Sequence, residues 1–170
     1  MGEYDFFEKL QQLSTRNMHI TIENYLKDLK HTANDNKNSE NILLGATRIA
    51  YILGFIDKTT ASYYHHAAVY KWRQELGPDE YVYWLKNAKI KPLPLNELKT
   101  ITATKAKEII ETYINSLLDV MGKINTSENF YYVIDGVTRF AVFIKLMNYK
   151  EMAKYSGRAY VKDGTNFRHY

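Results

Sequence analysis

Residues 22–41, IENYLKDLKHTANDNKNSEN, reappear as residues 110–129, IETYINSLLDVMGKINTSEN, at an offset of 88. Residues 45–71 reappear as 136–162, GATRIAYILGFIDKTTASYYHHAAVYK against GVTRFAVFIKLMNYKEMAKYSGRAYVK, at an offset of 91. Fourteen of these 47 aligned positions are identical, among them Glu23, Tyr25, Arg48, Tyr64 and Ala68 of the first copy. A fixed-period self-similarity constrains the fold more than any local signal, because each copy must be able to adopt the same unit. Three residues, Phe130 to Tyr132, are extra in the second copy.

The apolar spacing is retained more faithfully than the identities. Ile42, Leu43, Ala46, Ile49, Ala50 and Leu53 correspond to Val133, Ile134, Val137, Phe140, Ala141 and Ile144, and both sets step 0, 1, 4, 7, 8, 11, the stripe of an amphipathic helix. Ile22, Tyr25, Leu26, Leu29 and Ala33 are matched in the same way by Ile110, Tyr113, Ile114, Leu117 and Met121. Each copy therefore reads as helix A, a loop, helix B and a third element C. The expected fold is all-α, two tandem three-helix repeats packed into one body, with residues 1–90 forming the first and 97–170 the second.

Local chemistry places the ends. Ser39 and Ser127 are expected N-caps, each followed by a glutamate that suits the helix dipole. Asp57 or Thr59 caps the first element C, which is expected to run to about Leu76 before Gly77-Pro78 stops it. A short helix follows over residues 79–88 with Tyr81, Tyr83 and Trp84, and KPLPLN, 91–96, reads as an extended connector because each proline disfavours a helical residue before it. In the tail, Asp163-Gly164 is a strong two-residue turn signal and predicts a β-hairpin setting Tyr160 opposite Phe167.

Helix B is apolar nearly all round, so it is expected to be covered on both faces, with Gly45 and Gly136 allowing close approach. Arg48 and Arg139 on it then need partners, since a buried unpaired charge costs several kcal/mol. Folding each hairpin about its loop points to Glu23 with Arg48 and Glu111 with Arg139 as two equivalent structural ion pairs.

The chemistry-bearing motifs are few. There is no cysteine among the 170 residues, which excludes disulfides and thiolate metal sites. His65 and His66 are adjacent and so diverge by about 100° on a helix, unlike the i, i+4 ligands of a metal site. No glycine-rich phosphate loop, GxSxG elbow, helical-ribonuclease Arg-His signature or recombinase Arg and His-x-x-Arg setting is present. The chain is read as a non-enzyme without metal or cofactor. MGEYDFFEKL is acidic where a secretory signal is basic, and no window approaches the roughly 18 apolar residues of a membrane span, so a cytoplasmic protein without membrane contact is expected.

Charge supplies the functional expectation. Residues 1–88 carry 10 Lys/Arg and 11 Asp/Glu, net −1, whereas 89–170 carry 13 and 8, net +5. Attraction to an anionic partner therefore belongs to the second half. The candidate contacts are Lys71, Arg73, Lys89 and Lys91 near the junction and Lys154, Arg158, Tyr160, Lys162, Arg168 and Tyr170 in the tail, cations for phosphate and rings for stacking. This reads as a monomeric nucleic-acid-associated protein whose two repeats act as an internal pseudo-dimer. Fifteen tyrosines also fit a protein-interaction module, an adaptor or an inhibitor encoded by a phage or mobile element. In its general look the chain is similar to small phage-encoded accessory proteins.

Overall fold

Seven of the helices start at a side chain that accepts a hydrogen bond from the first turn or follow a proline that bars earlier helix. In the computed structural model, which describes residues 2–33, 36–69, 90–121, 123 and 128–167 (backbone only for 69 and 163–167), eight helices and no strand are found among the described residues. They are α1 (Asp5–Gln12), α2 (Thr15–Thr32), α3 (Lys37–Ile52), α4 (Lys58–Val69), α5 (Leu95–Leu98), α6 (Ala103–Val120), α7 (Phe130–Phe143) and α8 (Tyr149–Phe167). Ser14 caps α2 and Thr102 caps α6, each accepting from the N–H three residues on, at 3.1 Å in both cases. Asp57 caps α4 through the Thr60 N–H at 2.8 Å, and Asn148 caps α8 through the Glu151 N–H at the same distance. Each such cap contributes about 1 kcal/mol.

Two expected caps move. Asn36, not Ser39, caps α3, accepting from Asn38 and Ser39, and Asn129 caps α7; Ser127 lies outside the described residues. Asparagine is as good a cap as serine, and the earlier start gives α3 nearly one additional turn. Helices A, B and C of the two copies are thus α2, α3, α4 and α6, α7, α8. The end expected for α4 near Leu76 and the helix expected over 79–88 lie outside the described residues. The 91–96 connector is extended only to Pro94, from which α5 makes a single turn.

At the centre α3 crosses α7. Every residue of α3 from Glu40 to Ala50 is buried. A Cβ on Gly45 would collide with the Val133 carbonyl oxygen, and one on Gly136 with the Ile42 carbonyl oxygen. These contacts are reciprocal under the offset of 91, so the two backbones touch at equivalent points. An aromatic chain then runs through both halves: Phe7 on Phe55, Phe55 on Phe140, Phe140 on Tyr25, and Tyr25 stacked on Phe143 at 4.3 Å.

Further equivalences recur outside the crossing. Both central helices end in the same motif: the Phe55 N–H donates to the Ala50 carbonyl and the Leu146 N–H to that of Ala141, with Gly54 and Lys145 at positive φ (87° and 59°) in the left-handed position. Gln11 donates its amide to the Ile101 carbonyl at 2.7 Å, while Lys99, 88 residues on, donates to the Leu13 carbonyl at 2.9 Å. The short helices α1 and α5 thereby clasp each other, a match that the sequence shows only in Leu10 with Leu98 and Leu13 with Ile101.

The tail does not form the hairpin. Residues 149–167 are one helix, with Asp163-Gly164 inside its last turns. Tyr155 and Ala159 are buried one turn apart and Lys162 follows on the same face, so the helix gains body contacts along its length. A lone two-stranded ribbon would have had no sheet to join.

Candidate partner-binding surface

The repeated charges find partners other than those expected. Arg48 pairs with Glu128, which approaches from the start of α7, and not with Glu23. Both side chains are almost fully buried, and the Tyr113 hydroxyl lies beside them. Burial works against the charge on Arg48, but Glu128 more than compensates and holds its pKa above the usual value. The same burial pushes Tyr113 up to about 12. Arg48 Nε and Nη1 and Thr47 Oγ1 are buried without a hydrogen bond among the described residues. Hence this cluster is a structural tie between the halves.

Glu23 accepts instead from the Tyr64 hydroxyl at 3.4 Å, and Glu111 from the Tyr155 hydroxyl at 2.5 Å. The repeated glutamate is thus matched to the repeated tyrosine of element C. Burial raises both hydroxyls' pKa, Tyr155 to about 12, with the glutamates adding to the effect. Arg139 is exposed and bonds Asp135 on its own helix at 3.0 Å, so the expected pair with Glu111 is absent. Asp135 stands where the first copy has Leu44, which gives Arg139 a local carboxylate that Arg48 lacks.

On α8 the body-facing side is held by Tyr155, Ala159 and a salt bridge from Glu151 to Lys107 at 2.5 Å. Glu151 also accepts from the Asn148 N–H, completing a capping box. Although burial opposes it, the contact with Lys107 keeps the Glu151 carboxyl below its usual range. The acidic residue nearest the start of α8 is therefore committed inward.

The other side of α8 is open. Lys150, Lys154 and Arg158 are exposed at successive i, i+4 positions, about 6 Å apart along the axis. None has an acidic partner among the described residues. Lys154 and Arg158 both lie over the Tyr155 ring, at 5.8 and 5.7 Å from its centre. Tyr149, Tyr160 and Val161 flank them, with 77, 68 and 66 % of their surface exposed. Between the cations and the rings lies Gly157, where an added Cβ would meet nothing.

Of the expected contact residues, Lys154 and Arg158 share this stripe, and Tyr160 is exposed on the same helix about 160° round the axis from Arg158. Lys162 is not on it: its ammonium donates to the Leu118 carbonyl at 2.6 Å, where a cation complements the C-terminal end of α6. Lys91 is exposed in the connector, away from α8 in the chain. Lys71, Arg73, Lys89, Arg168 and Tyr170 lie outside the described residues. The sequence reading missed Lys150, Tyr149 and Val161, which only the helical continuation of the tail aligns with the others. Helical periodicity through residue 162 was the signal available.

No group of three potential metal ligands and no helix long and apolar enough to cross a membrane occurs among the described residues. No protein-family model matches the chain, and neither a curated protein nor a solved structure matches it.

Proposed function

We propose that this protein is a non-catalytic, nucleic-acid-associated binding protein that presents the open face of α8 to a phosphate backbone. The observation that carries the reading is the row Lys150, Lys154, Arg158, three cations on one exposed stripe whose neighbouring carboxylate, Glu151, is bonded inward to Lys107. Cations without internal partners contribute their charge to a polyanion at no cost of broken ion pairs, and the exposed rings of Tyr149 and Tyr160 suit unstacked bases. The two halves are read as an ancient duplication acting as an internal pseudo-dimer, supported by the reciprocal contacts at offsets 88 and 91. The cationic row belongs to the second copy alone: the residues 91 positions earlier are Thr59, Tyr63 and Ala67.

A salt titration with labelled DNA and RNA oligomers tests this. Binding should weaken steeply with salt, and replacing Lys150, Lys154 and Arg158 by glutamine should reduce the logarithmic salt slope by about 2 to 3. Gly157→Glu should abolish binding without loss of thermal stability, since that position has open space. Absence of binding to either polymer at low ionic strength ends the reading.

The apolar exposure of Tyr149, Tyr160 and Val161 favours a second reading, in which the same face docks on a protein and the chain serves as an adaptor or inhibitor from a phage or mobile element. Its signature is capture of a host protein that resists nuclease and salt and is lost in Tyr160→Ala.

A further inference from the structure

A pocket of about 370 Å³ opens where the start of α2, the end of α3 and the extended segment before α5 meet. Its apolar walls include Met18, Tyr51, Phe55 and Pro94, and His19 and Asp57 lie at its polar side. That size and that mixture of apolar walls with few polar groups are those of small-molecule sites. The walls are fixed: Met18 and Phe55 are core side chains, and the Leu93 N–H donates to the Ile52 carbonyl at 2.8 Å. Gly54, at φ 87°, permits this approach, since a Cβ there would lie 2.6 Å from the Leu93 oxygen.

The chain supplies a comparison from its other half. The offset of 88 relates Pro92 and Pro94 to Tyr4 and Phe6, and His19 to Lys107; the offset of 91 relates Ile52 to Phe143. In that half the Phe6 ring packs edge-on against Phe143 at 6.3 Å, and Tyr4 lies near Lys107, whose pKa is raised against the cost of burial chiefly by its bond to Glu151, with Tyr4 adding to it. Two rings thus stand where the pocket has two prolines and space. At the polar side, the exposed Asp57 carboxylate caps α4 through Oδ1 and also takes the Thr60 hydroxyl, keeping it below its usual range, and His19 bonds Glu23 through Nε2 at 3.3 Å. The thiol-free, acid-bearing mouth favours a donor or a cation.

We infer that this pocket binds a small aromatic amine, its ring lying against Tyr51, Pro92 and Pro94 and its amino group on the Asp57 carboxylate. A planar ring packs favourably on the Tyr51 ring and the faces of the prolines, above the buried Met18 and Phe55, and the amine forms a charge-assisted hydrogen bond. The site is independent of the α8 face and of what that face binds.

The test uses the full chain labelled at its methionine methyls, with tyramine as the probe and p-cresol, the same phenol ring without the amine, as the control. Tyramine should shift the Met18 methyl resonance saturably with a Kd of about 1 mM or tighter, and p-cresol should bind about tenfold more weakly. Asp57→Asn, which retains the cap on α4, should weaken tyramine about tenfold and leave p-cresol unchanged. Thr15→Trp, at the pocket wall, should abolish both shifts. The inference is overturned if tyramine gives no saturable shift of Met18 up to about 20 mM, if p-cresol binds as tightly, or if Asp57→Asn leaves the tyramine affinity intact.

Discussion

Arg48 shows how a single residue ties the two halves together. Its guanidinium sits among the core of α3 and its only acidic partner among the described residues, Glu128, lies 80 positions away. Removing one member of such a pair leaves the other charge buried and uncompensated, whereas removing both eliminates the desolvation cost along with the attraction. Glu128→Gln should therefore destabilise the protein by about 3–5 kcal/mol, and Arg48→Met combined with Glu128→Leu by much less. Urea unfolding of the three proteins checks this; a double variant as unstable as the single would show that the pair is not the source of the loss. The need for a partner was legible in the sequence, because a repeated arginine on an apolar helix cannot be left bare. Its identity was not, since folding each hairpin on itself considers only partners within a copy, and Glu128 comes from the opposite one. The repeated Glu23 and Glu111 were expected to pair with Arg48 and Arg139, but their donors are the hydroxyls of Tyr64 and Tyr155.

Among the elements, α3 and α7 depend on two glycines for their separation. The Cβ atoms that alanine would add at 45 and 136 point at carbonyl oxygens of the facing backbone, which cannot rotate away as a side chain would. Accommodating either one requires the helices to part and the packed layer around Ile42, Ala46, Val133 and Val137 to open. Gly45→Ala and Gly136→Ala should each cost at least about 1–3 kcal/mol, the range for overpacking, despite alanine's better helix propensity. Thermal denaturation of the two variants should give similar losses, as their contacts are equivalent. At Gly157, by contrast, alanine meets nothing and should raise stability by about 0.5–1 kcal/mol. A measured gain at 45 or 136 would contradict the crossing. The central helices were legible because their stripes keep the same spacing twice. The tail was misread because Asp163-Gly164 is a signal of two residues, and it was outweighed by a helix of 19 that buries Tyr155 and Ala159.

For the whole molecule, the question is whether residues 1–90 and 97–170 are domains or halves of one folding unit. The sequence suggests a boundary, with a proline-containing connector between two similar segments, but it does not reveal that the central helices α3 and α7 pack directly on each other. The aromatic chain passes from Phe7 and Phe55 of one half to Phe140 of the other and back to Tyr25, α1 and α5 exchange side-chain hydrogen bonds, and the Asn129 N–H donates to Asn41. A fragment cut at the connector would expose the face of α3 or α7 that the other half covers, and would leave Arg48 or Glu128 without its partner. Such a surface is too apolar to remain in water and too small a core to hold alone. The intact chain should therefore unfold in a single transition, with calorimetric and van't Hoff enthalpies in agreement. Fragments 1–90 and 91–170 should each lack a cooperative transition alone and regain one when mixed in equal amounts. A fragment that unfolds cooperatively as a monomer would make the copies true domains, and the tie through Arg48 and Glu128 would then be a contact between them rather than part of one core.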